Sequence, residues 1–217
     1  MAAGFVVLFV VLDRSTVFFQ IWSGISAWYP PAGLTFAALI AFGPAFLPVI
    51  LLAEGISSIV NYKVPVLSYS FLVDDPATAL LYAMASTVLR RVVKIGSDLR
   101  SVRDVMWLLL VGICSSGIVA SVGVQLLGAD RLVPRGQYLA ATLNWWVGDA
   151  VAIGSVAPFL LIYVVPRLQQ FTGLAPAEPS SAASLRVRSR HELHGFPRTL
   201  ESLLFAVSIV AVIWVAL

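Results

Sequence analysis

Residues 28–48 read Trp28-Tyr29-Pro30-Pro31-Ala32-Gly33, then an apolar run from Leu34 to Phe42, then Gly43-Pro44 and Leu47-Pro48. Proline has no backbone donor and holds φ at about −65°. Paired prolines therefore suit the point where a loop becomes the first turn of a helix. Trp and Tyr concentrate at membrane–water interfaces, so Trp28 and Tyr29 set that point at headgroup depth. A second stretch, Asn144-Trp145-Trp146-Val147-Gly148-Asp149-Ala150 followed by Pro158, answers the first later in the chain.

Working outward, the composition agrees with a bilayer. Of 217 residues, 59% are hydrophobic and 12% charged, and the mean hydropathy is +0.93. Ordinary soluble domains run at about 45–50% apolar and 25% charged. The fold class expected is all-α, a polytopic integral membrane helical bundle with about seven helices present of eight. The formal charge of +3 and a pI near 9.3 raise the question of nucleic acid. The basic residues lie in loops between apolar runs, however, and this excludes nucleic acid in favour of a membrane surface. The single cysteine, Cys114, rules out a disulfide framework and a thiolate metal cluster. The apolar amino terminus meets Asp13-Arg14 with no basic region ahead and no cleavage site behind. It reads as the first membrane helix rather than a removable signal.

The pass along the chain predicts helices over residues 2–20, 25–42, 45–62, 77–93, 105–127 and 138–165, with a seventh starting near Thr199. Asp13 and Arg14 diverge by about 100° on the first helix and cannot pair with each other. Each needs its own partner, such as an arginine on another helix for Asp13, or else an interfacial position or a polar interior. Lys63, Pro65, Asp74, Asp75 and Pro76 are assigned to a loop before the fourth helix. Gly112, Ser116 and Ala120 stack on one face of the fifth, where another helix can approach closely. Residues 166–198, rich in Pro, Ser and Arg, read as a basic cytoplasmic loop within a single domain spanning 1–217.

Five of the 14 Lys and Arg residues fall in 90–104 and five in 166–198. Placing both segments in the cytoplasm gives a multi-pass topology with a cytoplasmic amino terminus and Pro30-Pro31 near the outer surface. The run from Leu203 to Leu217 is shorter than the roughly 20 residues of a span. The expectation is that the chain continues past Leu217 into one more helix.

With both anchors in view, the pattern resembles the first type of the bacterial membrane-associated sensor domains, the MASE family. Trp28, Pro30, Pro31 and Gly33 match its tryptophan–proline–proline–glycine element, and Gly43 and Pro48 its continuation. Trp145, Trp146, Gly148, Asp149 and Pro158 match its tryptophan-rich helix. The resemblance runs from about Trp28 to Pro166. Ala152, Asp75 and Ala79 depart from the residues common at their positions. The resemblance implies a sensory input domain of the bacterial inner membrane, joined to a histidine kinase or cyclic-di-GMP enzyme beyond its carboxyl end. It implies no catalysis and no cofactor in this portion.

Candidate ligand- or proton-sensing residues are Asp149, Glu54, Trp145, Trp146, Trp28, Pro30, Pro31 and Gly33. A charged side chain at the centre of a membrane helix costs about 2.5–3.5 kcal/mol on insertion scales and faces a bundle interior or water. Trp145 precedes Asp149 by one turn and shares its face. Both carboxylates also admit a purely structural role, satisfied by hydrogen bonds from neighbouring helices, and the aromatics a role as anchors and packing. His191-Glu192-Leu193-His194 lacks the spacing of a zinc-protease motif, and no glycine-rich phosphate loop or nucleophile elbow is present. Expected partners are the lipid bilayer, the output module and an unidentified small ligand or ion, with a homodimer allowed. The competing readings are a small transporter or permease, from the proline-broken helix and the intramembrane acids, and a scaffold subunit.

Overall fold

Pro30 and Pro31 begin a helix at the first of the two prolines, because a residue before proline is pushed away from α geometry. Tyr29 sits at φ −124°, ψ 76°, and helix α2 runs over Pro30–Phe42. The computed structural model describes residues 1–22, 25–68, 70–96, 99 and 101–172. All of them lie in one unit, Met1–Ala177.

The other helices are α1 (Ala2–Thr16), α3 (Leu47–Tyr62), α4 (Asp75–Thr87), α5 (Val102–Ala129), α6 (Tyr138–Phe159) and α7 (Val165–Thr172). Three helical stretches, Pro44–Tyr62, Val102–Ala129 and Arg135–Gln169, are long and apolar enough to cross a membrane. The expected seventh helix near Thr199 lies outside the described residues, as does most of the basic loop over 166–198.

Several boundaries differ from the sequence reading, each for a local reason. The first helix stops at Thr16, not at residue 20; the β-branched and aromatic residues that follow lose rotamer freedom in a helix. They form a 3₁₀ turn, Val17–Phe19, and then strand β1, Gln20–Trp22, which pairs antiparallel with β2, Ile25–Ser26. Residues 25–29 are therefore not helical. Asp74 and Asp75 are not in a loop, because a wide π turn, Ser70–Asp74, leads directly into α4. Such a turn accommodates the carbonyl that Pro76 cannot serve. Helix α4 ends in a further π turn, Val88–Val93, and beyond Pro158 the chain winds through another, Leu160–Val164, into α7. Residues 166–172 are thus helical rather than part of a loop.

Helix α2 is the hub. Every residue from Pro30 to Ala41 is buried, as expected for a helix that is apolar all round. It packs along α6 and α4 and touches α1; α5 lies along α6, and α1 along α3. The face bearing Gly112, Ser116 and Ala120 is buried, and α6 occupies it. A methyl added at Gly112 would fall 2.6 Å from Cγ2 of Ile153, and one at Gly123 would meet the ring of Trp145. Phe36, Leu39 and Ile40 of α2, Tyr82 of α4 and Ile153 of α6 belong to the same fully buried core. On the outside, Val7, Leu52, Met84, Leu110 and Val147 stand exposed on α1, α3, α4, α5 and α6, the apolar faces that a bilayer would cover.

Candidate functional site

The two sequence anchors touch. The Tyr29 N–H donates to the Gly148 carbonyl at 3.4 Å. A Cβ at Gly148 would strike the Ser26 carbonyl oxygen, and a Cβ at Gly33 the Ala152 carbonyl oxygen. Both glycines are therefore required for close backbone approach, one on each side of the contact between the α2 entrance and α6.

That contact places Asp149 inside the bundle, 1% exposed. Its Oδ2 accepts from the Tyr82 hydroxyl at 2.5 Å and from Trp145 Nε1 at 3.1 Å. The bond from Trp145 closes one helical turn, as the spacing of four predicts. Tyr82 is held in turn by an edge-on contact with Phe36, with ring centroids 5.8 Å apart. The other oxygen of Asp149, Oδ1, is buried with no partner.

Asp13 takes the polar interior among the alternatives open to it, fully buried between α1 and α3. Among the described residues its side-chain hydrogen-bond partners come from α3. Asn61 Nδ2 reaches Oδ2 at 3.1 Å, Tyr62 Oη reaches Oδ1 at 2.8 Å, and the Ser57 hydroxyl donates to Oδ2. Asn61 also donates to the Val10 carbonyl at 3.1 Å and to Ser57 Oγ at 2.7 Å, tying α3 to α1. One turn away, the Ser58 hydroxyl donates to Asp75 Oδ2 at 2.6 Å. Glu54 Oε2 and Asp74 Oδ1 are buried and unpartnered.

These groups share a cavity of about 100 Å³. Five carboxyls line it: Asp13, Glu54, Asp74, Asp75 and Asp149. They come from α1, α3, the π turn, α4 and α6. The rings of Tyr29, Tyr62, Tyr82 and Trp145 line it too, together with Pro31 and Thr35 of α2. Among the described lining residues none is basic. The lining comes from the carboxyl-terminal ends of α1, α3 and α5 and the amino-terminal halves of α2, α4 and α6, so it gathers at one end of an up-and-down bundle. Arg14, Lys63, Arg131 and Arg135 lie at the cavity end of their helices, outside the lining, while Arg90, Arg91, Lys94, Arg103 and Arg167 lie at the opposite end. There Arg90 Nη1 donates to the Leu39 carbonyl in the last turn of α2 at 3.3 Å, a favourable place for a cation.

Of the sequence candidates, Asp149, Glu54, Trp145 and Pro31 line the cavity. Pro30 and Gly33 are buried beside it in the α2–α6 packing. Trp146 points elsewhere, 36% exposed, with Nε1 donating to the Ile113 carbonyl on α5 at 2.9 Å. Trp28 is 37% exposed at the loop, where its N–H donates to Ser26 Oγ at 3.3 Å. Sequence reasoning missed Tyr82, Asp74 and Asp75. A signal for the last two was present, since adjacent acids at the mouth of an apolar run need an interior or an interface to face.

The bundle turns the polar groups of α1, α3, α4 and α6 onto one internal cavity. The family model MASE1 matches residues 1–217. The chain belongs to the MASE1 family, membrane-associated sensor domains of signalling proteins. No curated protein and no solved structure gives a match. Nothing in the family match favours the permease alternative.

Proposed function

We infer that this chain is the input module of a bacterial inner-membrane signalling protein. On this reading its acidic cavity receives a small ligand or ion and relays the event to a cytoplasmic output module, a histidine kinase or a cyclic-di-GMP enzyme. The observation that carries the reading is the convergence of five carboxyls from separate elements on one cavity beside the paired motif. Intramembrane acids are costly and are functional by default. The clustering of Arg90, Arg91, Lys94 and Arg103 at the far end supports a cytoplasmic location for that end and for the amino terminus, with the cavity in the outer half.

The relay needs only differential affinity. A ligand that binds one packing arrangement of α2, α4 and α6 more tightly shifts the population toward it. Asp149 is bonded to α4 through Tyr82, and its neighbour Gly148 accepts from the Tyr29 N–H at the entrance to α2, so its occupancy bears on α4, α6 and that entrance. The test is Asp149→Asn in the full-length protein. At unchanged membrane level, output should change by about 5-fold or more, the lower range of allosteric coupling. Output indistinguishable from wild type would remove Asp149 from the relay.

A further inference from the structure

Away from the cavity, the outer side of α4 carries Leu80, Met84 and Val88, all exposed, and runs on into exposed Val92. On α5 the exposed face passes through Met106, Leu110 and Ile113. Residues three and four apart share one helix face, so each set is a continuous apolar stripe, and the two helices pack together. Both stripes end in cations. Arg91 follows Val88 by three positions and Arg103 precedes Met106 by three; both are exposed, as is Lys94. Ile113 stands about 15 Å along the axis from Arg103, half of a hydrocarbon core of about 30 Å. The stripe therefore has the reach of one leaflet.

Arg103 is held in place, because its Nη2 donates to the Val93 carbonyl at 3.2 Å, the carbonyl that joins Val93 to Lys94. The charge at the start of α5 thus lies against the end of α4. A guanidinium has five N–H donors, and most of this one stays open. Among the described residues the side chains of Arg91 and Lys94 have no hydrogen-bond or ion-pair partner. Arg90 is turned inward to the Leu39 carbonyl, and the acid beside the group, Asp104, accepts from the Gly96 N–H at 3.5 Å. One turn past Arg103, Trp107 is exposed, the residue type that settles at a membrane–water interface.

We propose that this end of the α4–α5 pair binds an anionic phospholipid, its headgroup phosphate among Arg91, Lys94 and Arg103 and its acyl chains along the two stripes. The inference needs only the membrane bundle and is independent of the sensory reading. Charge complementarity selects the occupant. A zwitterionic headgroup would bring its own cation to a place that already carries three, whereas an anionic one brings the phosphate without it. Basic residues at a bilayer surface attract anionic lipid, and a guanidinium matches phosphate oxygens with paired N–H groups. The stripes supply what a free phosphate or an acidic polypeptide could not use, an apolar surface continuous with the charged one.

The test is native mass spectrometry of the full-length protein in mild detergent, offered equimolar phosphatidylglycerol and phosphatidylcholine of matched chain length. Phosphatidylglycerol should be retained at least about tenfold in preference, the scale of one charge-assisted hydrogen bond. Arg103→Gln, and the double variant Arg91→Gln/Lys94→Gln, should each cut that preference by about fivefold or more, the worth of a basic residue at an anionic surface. The double variant Arg14→Gln/Arg135→Gln, at the other end of the bundle, should leave it unchanged. Equal retention of the two lipids would overturn the proposal. So would variants at Arg91, Lys94 and Arg103 that keep the preference, or a loss as large from the distant pair, since attraction would then be diffuse. Displacement of the lipid by inorganic phosphate or by polyglutamate at comparable concentration would equally overturn it, because the acyl chains would then contribute nothing. Should Arg103→Gln fail to fold, Arg91→Gln/Lys94→Gln, which breaks no side-chain bond among the described residues, decides the matter.

Discussion

Replacing Gly33 by alanine tests the contact on which the site is built. The added methyl would lie 2.7 Å from Val156 Cβ and 3.0 Å from the Ala152 carbonyl carbon, with the Ala152 oxygen closer still. Carbon atoms settle at about 3.5–4.0 Å, so α2 and α6 must separate locally by about 1 Å. The obstacle is helix backbone, which cannot rotate away as a side chain can. Overpacking of a dense core costs about 1–3 kcal/mol, and a backbone clash belongs at the top of that range. Alanine regains about 1 kcal/mol of helix propensity over glycine, which leaves a net loss of about 2 kcal/mol. For a protein of this size that corresponds to a fall in Tm of about 4–8 °C. Thermal unfolding in detergent, followed by tryptophan emission, measures it. Gly4→Ala is the internal control, since a Cβ at Gly4 meets nothing within 4 Å; it should be neutral or stabilising by up to about 1 kcal/mol. A Gly33→Ala protein as stable as wild type would refute the close backbone approach and the juxtaposition of the two motifs with it.

Two further outcomes follow from the hydrogen-bond pattern. Asp13→Ala strips the acceptor from Tyr62 and Ser57 while Asn61 keeps its bond to the Val10 carbonyl; stability should fall by about 2–4 kcal/mol, read from denaturation in detergent, with Asp13→Asn milder. Trp145→Phe removes a donor to Asp149 and should change output in the full-length protein, whereas Trp146→Phe, whose lost bond is to Ile113 outside the cavity, should leave output as in wild type. Output assays on the two variants at matched membrane level separate the neighbouring tryptophans.

The strongest signals in the sequence were those of local chemistry. Pro30-Pro31 marks the start of α2 because proline dictates its own φ and its neighbour's, and the four-residue spacing of Trp145 and Asp149 puts donor and acceptor on one helix face. The small residues of α5 likewise announce a close helix partner, though they cannot say that α6 is that partner. What stayed hidden was the meeting of distant segments. Asp13 is satisfied by Ser57, Asn61 and Tyr62, more than forty positions away, and no periodicity within α1 or α3 specifies that pairing. Tyr82 is an ordinary buried aromatic until α4 is laid beside α6. Asp74 and Asp75 looked like loop residues because Pro76 follows them, and a π turn that carries a helix past a proline has no short sequence mark.

Helix α2 also has an unusual relation to lipid. Its 13 residues give a length of about 20 Å at 1.5 Å per residue, against about 30 Å for a hydrocarbon core, while the 28 residues of α5 reach about 42 Å. A helix touching lipid must answer such a mismatch by tilting or by deforming the bilayer. Enclosed by its neighbours, α2 has no annulus of acyl chains to match. Its irregular ends, the loop before Pro30 and the positive φ of 80° at Gly43, are tolerable at depth because protein rather than hydrocarbon surrounds them. Thickening or thinning the membrane therefore loads α5 and the other outer helices first, and the proline-led helix at the cavity is insulated from acyl-chain length by the ring of helices around it.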